Sequence, residues 1–315
     1  MREFLEFWPK NLTLDNLAEA RVACEQQLYP RSIDEHVGQR AVDVLERLID
    51  GPGGEPVTLA VYRPTTCQGA APVLLFIHGG GLVTGNRFTE DLNLLDLAVD
   101  AAMSVVSIEY RLAPEHPFPA AIEDCYSAWQ WLLAEPAGFG IDPGRIVLVG
   151  ESAGGGLAAA LAILIRDRGG PQPLAQLLAT PMLDHRNDSP SVRQQNGLGV
   201  WDEVSNHTGW TAYLGGLAGT EALPAHAAPA SAQSLSGLPP AFIDAADAEI
   251  FRDEVVAYAT KLWLAGVPAE LHIWTGGCHG FYGMIPQLPV AKVVYHTRLE
   301  WLRRMVFGTA RRDRE

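Results

Sequence analysis

A mostly parallel β-sheet with α-helices on both faces is the fold class that the sequence predicts. Short apolar runs, which are typical of strands buried on both faces, alternate along the chain with longer segments of helical period. The chain has 315 residues, of which 48% are hydrophobic and 19% charged, so it can bury a large core and has an ordinary globular composition. Because strands that alternate with helices of this length build α/β proteins, we expect ligands to bind where the strands end.

The expected elements of the first half begin with a helix at 13–28, where leucine, alanine and valine recur at helical spacing. The stretch 56–64 alternates apolar and polar residues as a strand does, and 71–81 is a continuous apolar run that ends in glycine. A third strand is expected at 102–112. The amphipathic stretch 120–135 then predicts a helix.

The second half continues the alternation of strands and helices. A strand at 145–150 leads directly into an apolar helix at 153–168. The later apolar runs predict further strands, and the later segments of helical period predict one helix that Gly266 stops and one that closes the chain. These strands are expected at 174–183, 238–246 and 269–274, and these helices at 252–266 and 291–306.

Two segments do not fit the alternation, and they divide the chain into a cap and a core. Residues 1–45 are helical in pattern, and residues 185–230 are rich in glycine, alanine, proline and tryptophan. A loop-rich segment as long as the second one usually has a function, so we expect both to pack together over the carboxyl ends of the strands as a cap. The α/β core is then formed by residues 46–184 and 231–315.

The formal net charge of −14 excludes some classes of partner. A surface this acidic repels phosphate backbones and anionic lipid, so we expect no nucleic-acid partner. No apolar run reaches the roughly 18 residues that span a bilayer, and no membrane insertion is expected. The cysteines are irregularly spaced, which argues against a metal site and a disulfide framework, and free thiols suit a cytoplasmic location. They are Cys24, Cys67, Cys125 and Cys278.

The pentapeptide "GESAG" at 150–154 lies between an expected strand and an expected helix, and this context is that of a nucleophile elbow. Such a turn holds its serine, here Ser152, in a strained conformation, and a Cβ on either flanking glycine would clash with the strand or the helix. The hydroxyl would stand above the sheet at the amino end of a helix, where negative charge is favoured. The alternative is an ordinary glycine-rich turn in which the serine is incidental.

The tetrapeptide "HGGG" at 78–81 favours the catalytic interpretation, because it ends a buried strand that should lie beside the elbow. Acyl transfer produces an oxyanion, which fixed backbone N–H groups stabilise. We expect these donors to be the N–H groups of Gly80, Gly81 and Ala153. A phosphate-binding loop is disfavoured because no lysine follows and no Gly-x-Gly-x-x-Gly motif is present.

A serine nucleophile needs a base and an acid that orients the base. His279 follows the last expected strand in the glycine-rich stretch "GGCHGF", at the edge of the sheet where a base could reach the serine. The acid should follow the preceding strand, since the chain order in this fold is serine, acid, histidine. Asp244 lies inside that strand, and Asp253 and Glu254 fall in the next helix, where carboxylates are favoured for capping alone. Asp247 and Glu249 remain, and spacing alone does not decide between them.

Taken together, these motifs resemble those of one known family. Over residues 60–310 the chain is similar to α/β-hydrolases of the hormone-sensitive-lipase-like family, in the bacterial carboxylesterase branch. This resemblance implies a sheet of about eight strands with a helical cap, and hydrolysis of short acyl esters by a Ser–His–Asp/Glu triad without metal or cofactor. The matching segments are "HGGG" (78–81), "YRLAPEHPFPAAIED" (110–124), "GIDPGRIVLVGESAGGGLAAALA" (140–162), "PMLD" (181–184), "SGLPPAFI" (236–243), "FRDE" (251–254) and "AGVPAELHIWTGGCHGF" (265–281).

The resemblance also bears on the choice of acid. The family loop reads Asp-x-[Leu/Phe]-Arg-Asp-Glu, and its acid stands three residues before the arginine. Counting back from Arg252 gives Glu249, with Asp247 as the alternative. Glu151 occupies an elbow position where the family usually has aspartate, and we expect it to anchor neighbouring loops rather than react.

The substrate expected from these features is a small carboxylic ester with a short or medium acyl chain. An amidase, a carbamate hydrolase or a lactonase would use the same residues, and a protein of this fold that only binds a small molecule is the alternative from another class. A homodimer formed through the closing helix and the last strand is compatible with the sequence. The expected pocket residues are Leu82, Leu198, Trp201, Trp210 and Tyr213, with Phe281 behind the histidine.

Overall fold

An eight-stranded sheet forms the centre of the computed structural model, which describes residues 11–27, 32–89, 93–134, 139–220 and 223–308. The strands are β1 (Val42–Asp50), β2 (Pro56–Pro64), β3 (Ala71–Ile77), β4 (Ser104–Glu109), β5 (Ile141–Glu151), β6 (Ala175–Ala179), β7 (Ala241–Ala248) and β8 (Ala269–Cys278). Their order across the sheet is β1-β2-β4-β3-β5-β6-β7-β8. Strand β2 is antiparallel to its neighbours β1 and β4, and the other neighbouring pairs are parallel. The carboxyl ends of β3, β5, β7 and β8 therefore meet at one edge.

Helices cover both faces of the sheet. They are α1 (Leu17–Gln27), α2 (Ile33–Val37), α3 (Leu94–Ala101), α4 (Ala120–Ala134), α5 (Ala153–Asp167), α6 (Pro190–Gln194), α7 (Glu203–Leu214), α8 (Arg252–Leu264), α9 (Phe281–Met284) and α10 (Pro289–Phe307). Among the described helices, none is both long and apolar enough to cross a membrane. The expected homodimer stays a prediction, and β8 ends the described sheet on the side where it would form.

The core consists of two apolar clusters, one on each face, because successive side chains of a strand point to opposite sides. In β3, Leu75 belongs to the cluster that contains residues of α4, α5 and α8. Its neighbours Leu74 and Phe76 belong to the cluster that contains residues of α3 and α10. Strand β3 is buried on both faces along its whole length, as its continuous apolar run predicts.

The structure confirms the predicted α/β class, and it also contains elements that the sequence did not predict. Among them are the helices α3 and α9 and the edge strand β1, whose first residue, Val42, precedes the expected end of the helical cap segment at residue 45. Residue 45 therefore falls inside this strand, and the boundary between cap and core stays a prediction. Among the described strands, β1 pairs with β2 alone and is largely exposed, so its sequence "VDVLERLID" lacks the apolar run of a central strand.

The two segments expected to form the cap contact each other in their described parts. The Asn11 N–H donates to Asp202 Oδ2 at 3.1 Å, and the Leu12 N–H donates to Ser205 Oγ at 3.0 Å. Helix α1 also reaches the loop after β3, since Arg21 Nε donates to the Val83 carbonyl at 2.7 Å. The division into cap and core stays a prediction.

Candidate active site

The serine at the end of β5 stands on a strained turn. Strand β5 ends at Glu151 and α5 begins at Ala153, so Ser152 alone makes the turn, with φ 55° and ψ −121°. A Cβ at Gly150 would lie 2.1 Å from the Gly154 carbonyl oxygen, and one at Gly154 would lie 2.0 Å from the Ile77 carbonyl oxygen. Backbone packs too closely here for any side chain, which explains the two glycines around the serine.

His279 links this serine to a carboxylate. Its Nε2 lies 3.0 Å from Ser152 Oγ, and its Nδ1 lies 2.5 Å from Glu249 Oε2. Because an ionised carboxylate only accepts hydrogen bonds, Nδ1 carries the ring proton and Nε2 presents its lone pair to the serine hydroxyl. The Glu249 side chain is completely buried, and its other oxygen accepts the Ala246 N–H at 2.5 Å.

The other carboxylates considered for the acid have different partners. Asp247 Oδ1 accepts the Gly276 N–H at 2.9 Å, so this side chain ties its loop to β8. Asp253 Oδ2 accepts the Ser191 N–H at 2.7 Å, and Glu254 Oε1 accepts the Leu183 N–H at 2.7 Å. The structure thus brings Glu249, and none of these residues, to the imidazole. Asp244 forms a buried ion pair with Arg298, at 2.9 Å.

The glycine loop after β3 lies beside the elbow, with Gly80 at φ 112° and Gly81 at φ 62°. A Cβ at Gly80 would lie 2.1 Å from the Thr84 carbonyl oxygen, and one at Gly81 would lie 2.1 Å from the Trp201 ring. Within the described chain, no backbone acceptor takes the N–H groups of Gly80, Gly81 or Ala153. These three groups are therefore available to an oxygen bound next to Ser152.

His78 supports the glycine loop from below. Its ring is fully buried and stacks on Tyr110 with centroids 4.1 Å apart, and the Tyr110 hydroxyl donates to the His78 carbonyl at 2.9 Å. Burial lowers the pKa of His78 to about 4, so the neutral ring donates from Nδ1 to the Gly79 carbonyl at 2.7 Å. His78 acts as a scaffold here, as the sequence analysis expects.

A cavity of only about 10 Å³ adjoins the serine on the side of the glycine loop. Leu82, Trp210 and Tyr213, which are expected pocket residues, contribute to its lining, and Trp201 lies against Gly81. The other lining residues are apolar or small. They are Ala153, Gly156, Leu157, Ala160, Met182, Ala227 and Pro229.

Two expected pocket residues lie elsewhere. Leu198 is 58% exposed and does not line the cavity, because its loop runs over the surface between α6 and α7. Phe281 is fully buried in the core cluster on the α10 face of the sheet. The ring that contacts the imidazole is instead Phe251, whose centroid lies 5.2 Å from that of His279.

Sequence reasoning did not identify two residues that support the site. Phe251 is the first residue of the segment "FRDE", directly before the arginine from which the position of the acid is counted. Tyr282 stands three residues after His279, and its hydroxyl donates to Glu151 Oε1 at 2.7 Å. This bond agrees with the anchoring role expected for Glu151, and a hydroxyl close behind a candidate base is the signal that could have identified Tyr282.

The described residues form no metal site and present no reactive cysteine. No group of three or more histidine, cysteine or carboxylate side chains is placed there to hold a metal ion. None of the four cysteines forms a disulfide. Burial raises the pKa of Cys278, next to His279, so this thiol is a poor nucleophile.

The proteins to which this chain is similar are α/β-hydrolases and esterases. A family model described as alpha/beta hydrolase fold matches residues 74–283. Esterase LipI of Mycobacterium tuberculosis is 37% identical over 306 residues, covering 96% of this chain and 93% of the relative. Carboxylesterase NlhH of the same species is 38% identical over 250 residues, covering 78% of this chain and 77% of the relative. Among solved structures, a bacterial heroin esterase superposes with a TM-score of 0.87 at 32% identity, covering 97% of this chain and 96% of that chain.

Proposed function

Since the chain belongs to the α/β-hydrolase family, in its hormone-sensitive-lipase-like branch, we propose that it hydrolyses carboxylic esters through an acyl-enzyme formed on Ser152. The protein is a carboxylic ester hydrolase, as are the relatives named esterase and carboxylesterase. The assignment of roles to individual residues is our proposal. It is supported most directly by the hydrogen-bonded series from Glu249 through His279 to Ser152.

In the first step, Ser152 Oγ attacks the ester carbonyl carbon while His279 Nε2 takes its proton. The imidazolium that forms is stabilised by the Glu249 carboxylate at Nδ1. The carbonyl oxygen becomes an oxyanion, which the N–H groups of Gly80, Gly81 and Ala153 bind. Ala153 is the first residue of α5, so the helix amino end adds a favourable field.

The intermediate then collapses, and the bond to the leaving oxygen breaks as His279 Nε2–H protonates that oxygen. The alcohol departs and the acyl group stays on Ser152. In the second half of the reaction, a water molecule takes the place of the alcohol and attacks the carbonyl carbon of the acyl-enzyme. His279 Nε2 takes a proton from this water during the attack. Breakdown returns the proton to Ser152 Oγ and releases the carboxylic acid, so the enzyme is regenerated without a cofactor entering any step.

The nucleophile is tested by Ser152→Ala with a p-nitrophenyl ester of a short acid. We expect kcat to fall by about 10⁶, as in dissected serine hydrolases, because no other group takes over the attack. Circular dichroism of the variant should match the wild type. Normal turnover by a folded Ser152→Ala protein would remove this residue from the mechanism.

Labelling separates catalysis from simple binding. A fluorophosphonate should modify Ser152 in the wild type, with release of one leaving group per active site, and leave the alanine variant unmodified. A protein that only binds esters would give neither labelling nor a burst. A panel of esters, amides, carbamates and lactones with the same acyl group then measures the leaving-group preference.

A further inference from the structure

The backbone that carries two of the three proposed oxyanion donors is strained. Gly80, Gly81 and Leu82 follow one another with φ values of 112°, 62° and 69°. Glycine adopts such values freely, whereas the Cβ of Leu82 makes them unfavourable. A residue keeps a conformation of this kind only where its surroundings fix it. The contacts around residues 80–84 therefore decide where the N–H groups of Gly80 and Gly81 point.

Backbone hydrogen bonds close the turn after the glycine loop but leave two carbonyl groups without a backbone donor. The N–H groups of Val83 and Thr84 donate to the Gly80 carbonyl at 3.1 and 3.0 Å. The Ala113 N–H donates to the Leu82 carbonyl at 3.0 Å, which places the segment around residue 113 beside the turn. No described backbone N–H donates to the carbonyl of Val83 or of Ala113. These two carbonyls need donors from elsewhere.

Arg21 of α1 supplies a donor to each of the two carbonyls. Its Nε donates to the Val83 carbonyl at 2.7 Å, and its Nη2 donates to the Ala113 carbonyl at 2.7 Å. The two terminal nitrogens also bind the Glu115 carboxylate, at 2.7 and 2.9 Å. Because a guanidinium is planar and its donors have fixed directions, this set of bonds holds both segments in one arrangement.

Helix α7, from the other segment expected to form the cap, packs on the glycine loop directly. A Cβ at Gly209 would lie 2.5 Å from the Gly81 carbonyl oxygen, so only a glycine allows the helix to come this close. The ring of Trp201, just before α7, also lies against Gly81, and its N–H donates to Asn206 Oδ1 at 3.2 Å. Contacts at this range leave the Gly81 peptide little room to turn.

We propose that Arg21 and Gly209 are positioning residues, through which α1 and α7 aim the N–H groups of the glycine loop at the oxyanion. This proposal rests on the proposed function. Arg21 acts through the Val83 carbonyl and Gly209 through the Gly81 carbonyl, so a variant at either position keeps the nucleophile and the base. The donors stabilise the transition state more than the bound ester, so their displacement lowers kcat more than it changes KM.

Arg21→Met removes the donors and keeps an unbranched side chain. With a p-nitrophenyl ester of a short acid, we expect kcat to fall about ten- to a hundredfold and KM to change less than about threefold, because a small misplacement of catalytic groups is costly. Each kcat is expressed per active site, counted from the leaving group released when fluorophosphonate labelling is complete. A normal kcat in KM-impaired protein would assign Arg21 to substrate binding and overturn the proposal.

A trifluoromethyl ketone separates displaced oxyanion donors from other losses of activity. Such a ketone adds reversibly to a serine hydroxyl, and the charged oxygen of the adduct resembles that of the tetrahedral intermediate. Its inhibition constant should rise in Arg21→Met by about the factor by which kcat/KM falls. The pH profile of kcat/KM should keep its wild-type shape, because the base is untouched. An unchanged inhibition constant, or a shifted profile, overturns the proposal.

Gly209→Ala tests the contact from α7 independently. The added methyl group must push the Gly81 carbonyl away, so we expect the same loss of kcat and the same rise in the inhibition constant. The matched control is Gly216→Ala, just after α7, because a Cβ at Gly216 meets no atom within 4 Å.

Arg63→Met is the matched control for the arginine. Arg63 also donates to backbone carbonyls of two loops, those of Gly140 at 2.6 Å and Gly69 at 2.7 Å. These loops precede β5 and β3, at the edge of the sheet opposite to Ser152. Its kcat per active site should therefore equal that of the wild type.

A wild-type kcat in folded Arg21→Met or in folded Gly209→Ala overturns the proposal and leaves the esterase assignment intact. Control variants that lose as much activity as these two also overturn it. If the wild type neither hydrolyses the ester nor reacts with fluorophosphonate, the proposed function itself fails.

Discussion

At the scale of single residues, Glu249 and Asp247 show that the direction of a carboxylate side chain decides whether it contacts the imidazole of His279. The two carboxylates are two positions apart where β7 ends, and both precede His279 in the chain. Glu249 is buried and reaches His279 Nδ1, whereas Asp247 binds the Gly276 N–H. Spacing alone is nearly the same for both, and the resemblance to the family motif favours Glu249; the course of the loop then brings Glu249 to the imidazole.

The acid is tested by Glu249→Gln and Asp247→Asn. We expect Glu249→Gln to lower kcat by about 10⁴, because an amide neither fixes the ring proton nor stabilises an imidazolium as a carboxylate does. Asp247→Asn keeps an oxygen for the Gly276 N–H and should stay within a few fold of the wild type. Steady-state kinetics on one p-nitrophenyl ester measure both. The reverse order of activities would assign the acid to Asp247.

At the scale of secondary-structure elements, a hydrogen bond joins the two turns that carry the nucleophile and the base. Glu151 ends β5 directly before Ser152, and Tyr282 lies in α9 directly after the histidine loop. The Tyr282 ring is held in turn by Arg298 of α10, whose guanidinium carbon lies 4.0 Å from the ring centroid. Three elements therefore set the distance between Ser152 and His279.

We expect Tyr282→Phe to lower kcat about tenfold and change KM little, since a small displacement of the base weakens proton transfer more than binding. Each rate is divided by the concentration of active sites, which is titrated with a fluorophosphonate, so that misfolded protein is not counted. The matched control is Tyr295→Phe, which removes a hydroxyl that donates to Asp100 far from the site. Equal kcat in the two variants would show that the Glu151 bond does not position the triad.

At the scale of the whole molecule, buried histidines make stability depend on pH. Burial, with the charge of Arg40, lowers the pKa of His36 to about 4, and burial lowers that of His78 to about 4, from 6.5. At a pH between about 4, the pKa of these histidines in the folded protein, and 6.5, their ordinary pKa, the unfolded chain binds protons that the folded chain does not. The free energy of unfolding therefore falls as pH decreases from about 6.5 to 4. The buried carboxyl of Glu254 has a raised pKa and acts in the opposite direction.

His36→Phe isolates one of these contributions, because phenylalanine can keep the packing against Tyr62 and Phe88. The wild type should lose about 2 kcal/mol more unfolding free energy than the variant between pH 7 and pH 5, as the linkage relation gives for this shift. Urea unfolding at the two pH values measures this difference in unfolding free energy. The control is His296→Gln, because His296 is exposed. Parallel pH dependence in the wild type and His36→Phe would contradict the buried neutral ring.

By itself, the sequence determined the α/β class, the order of most elements, and the motifs around Ser152, the glycine loop and His279. These features are local, because a strand run, a helical period or a strained turn is written in adjacent residues. The family motif favoured Glu249, but only the tertiary structure shows that this carboxylate reaches the imidazole. Only the structure, too, shows that Phe251 and not Phe281 lies against the imidazole, and that an edge strand precedes β2. Contacts between distant segments decide those points, because loop direction and burial depend on how the whole chain packs, and short stretches of sequence do not encode them.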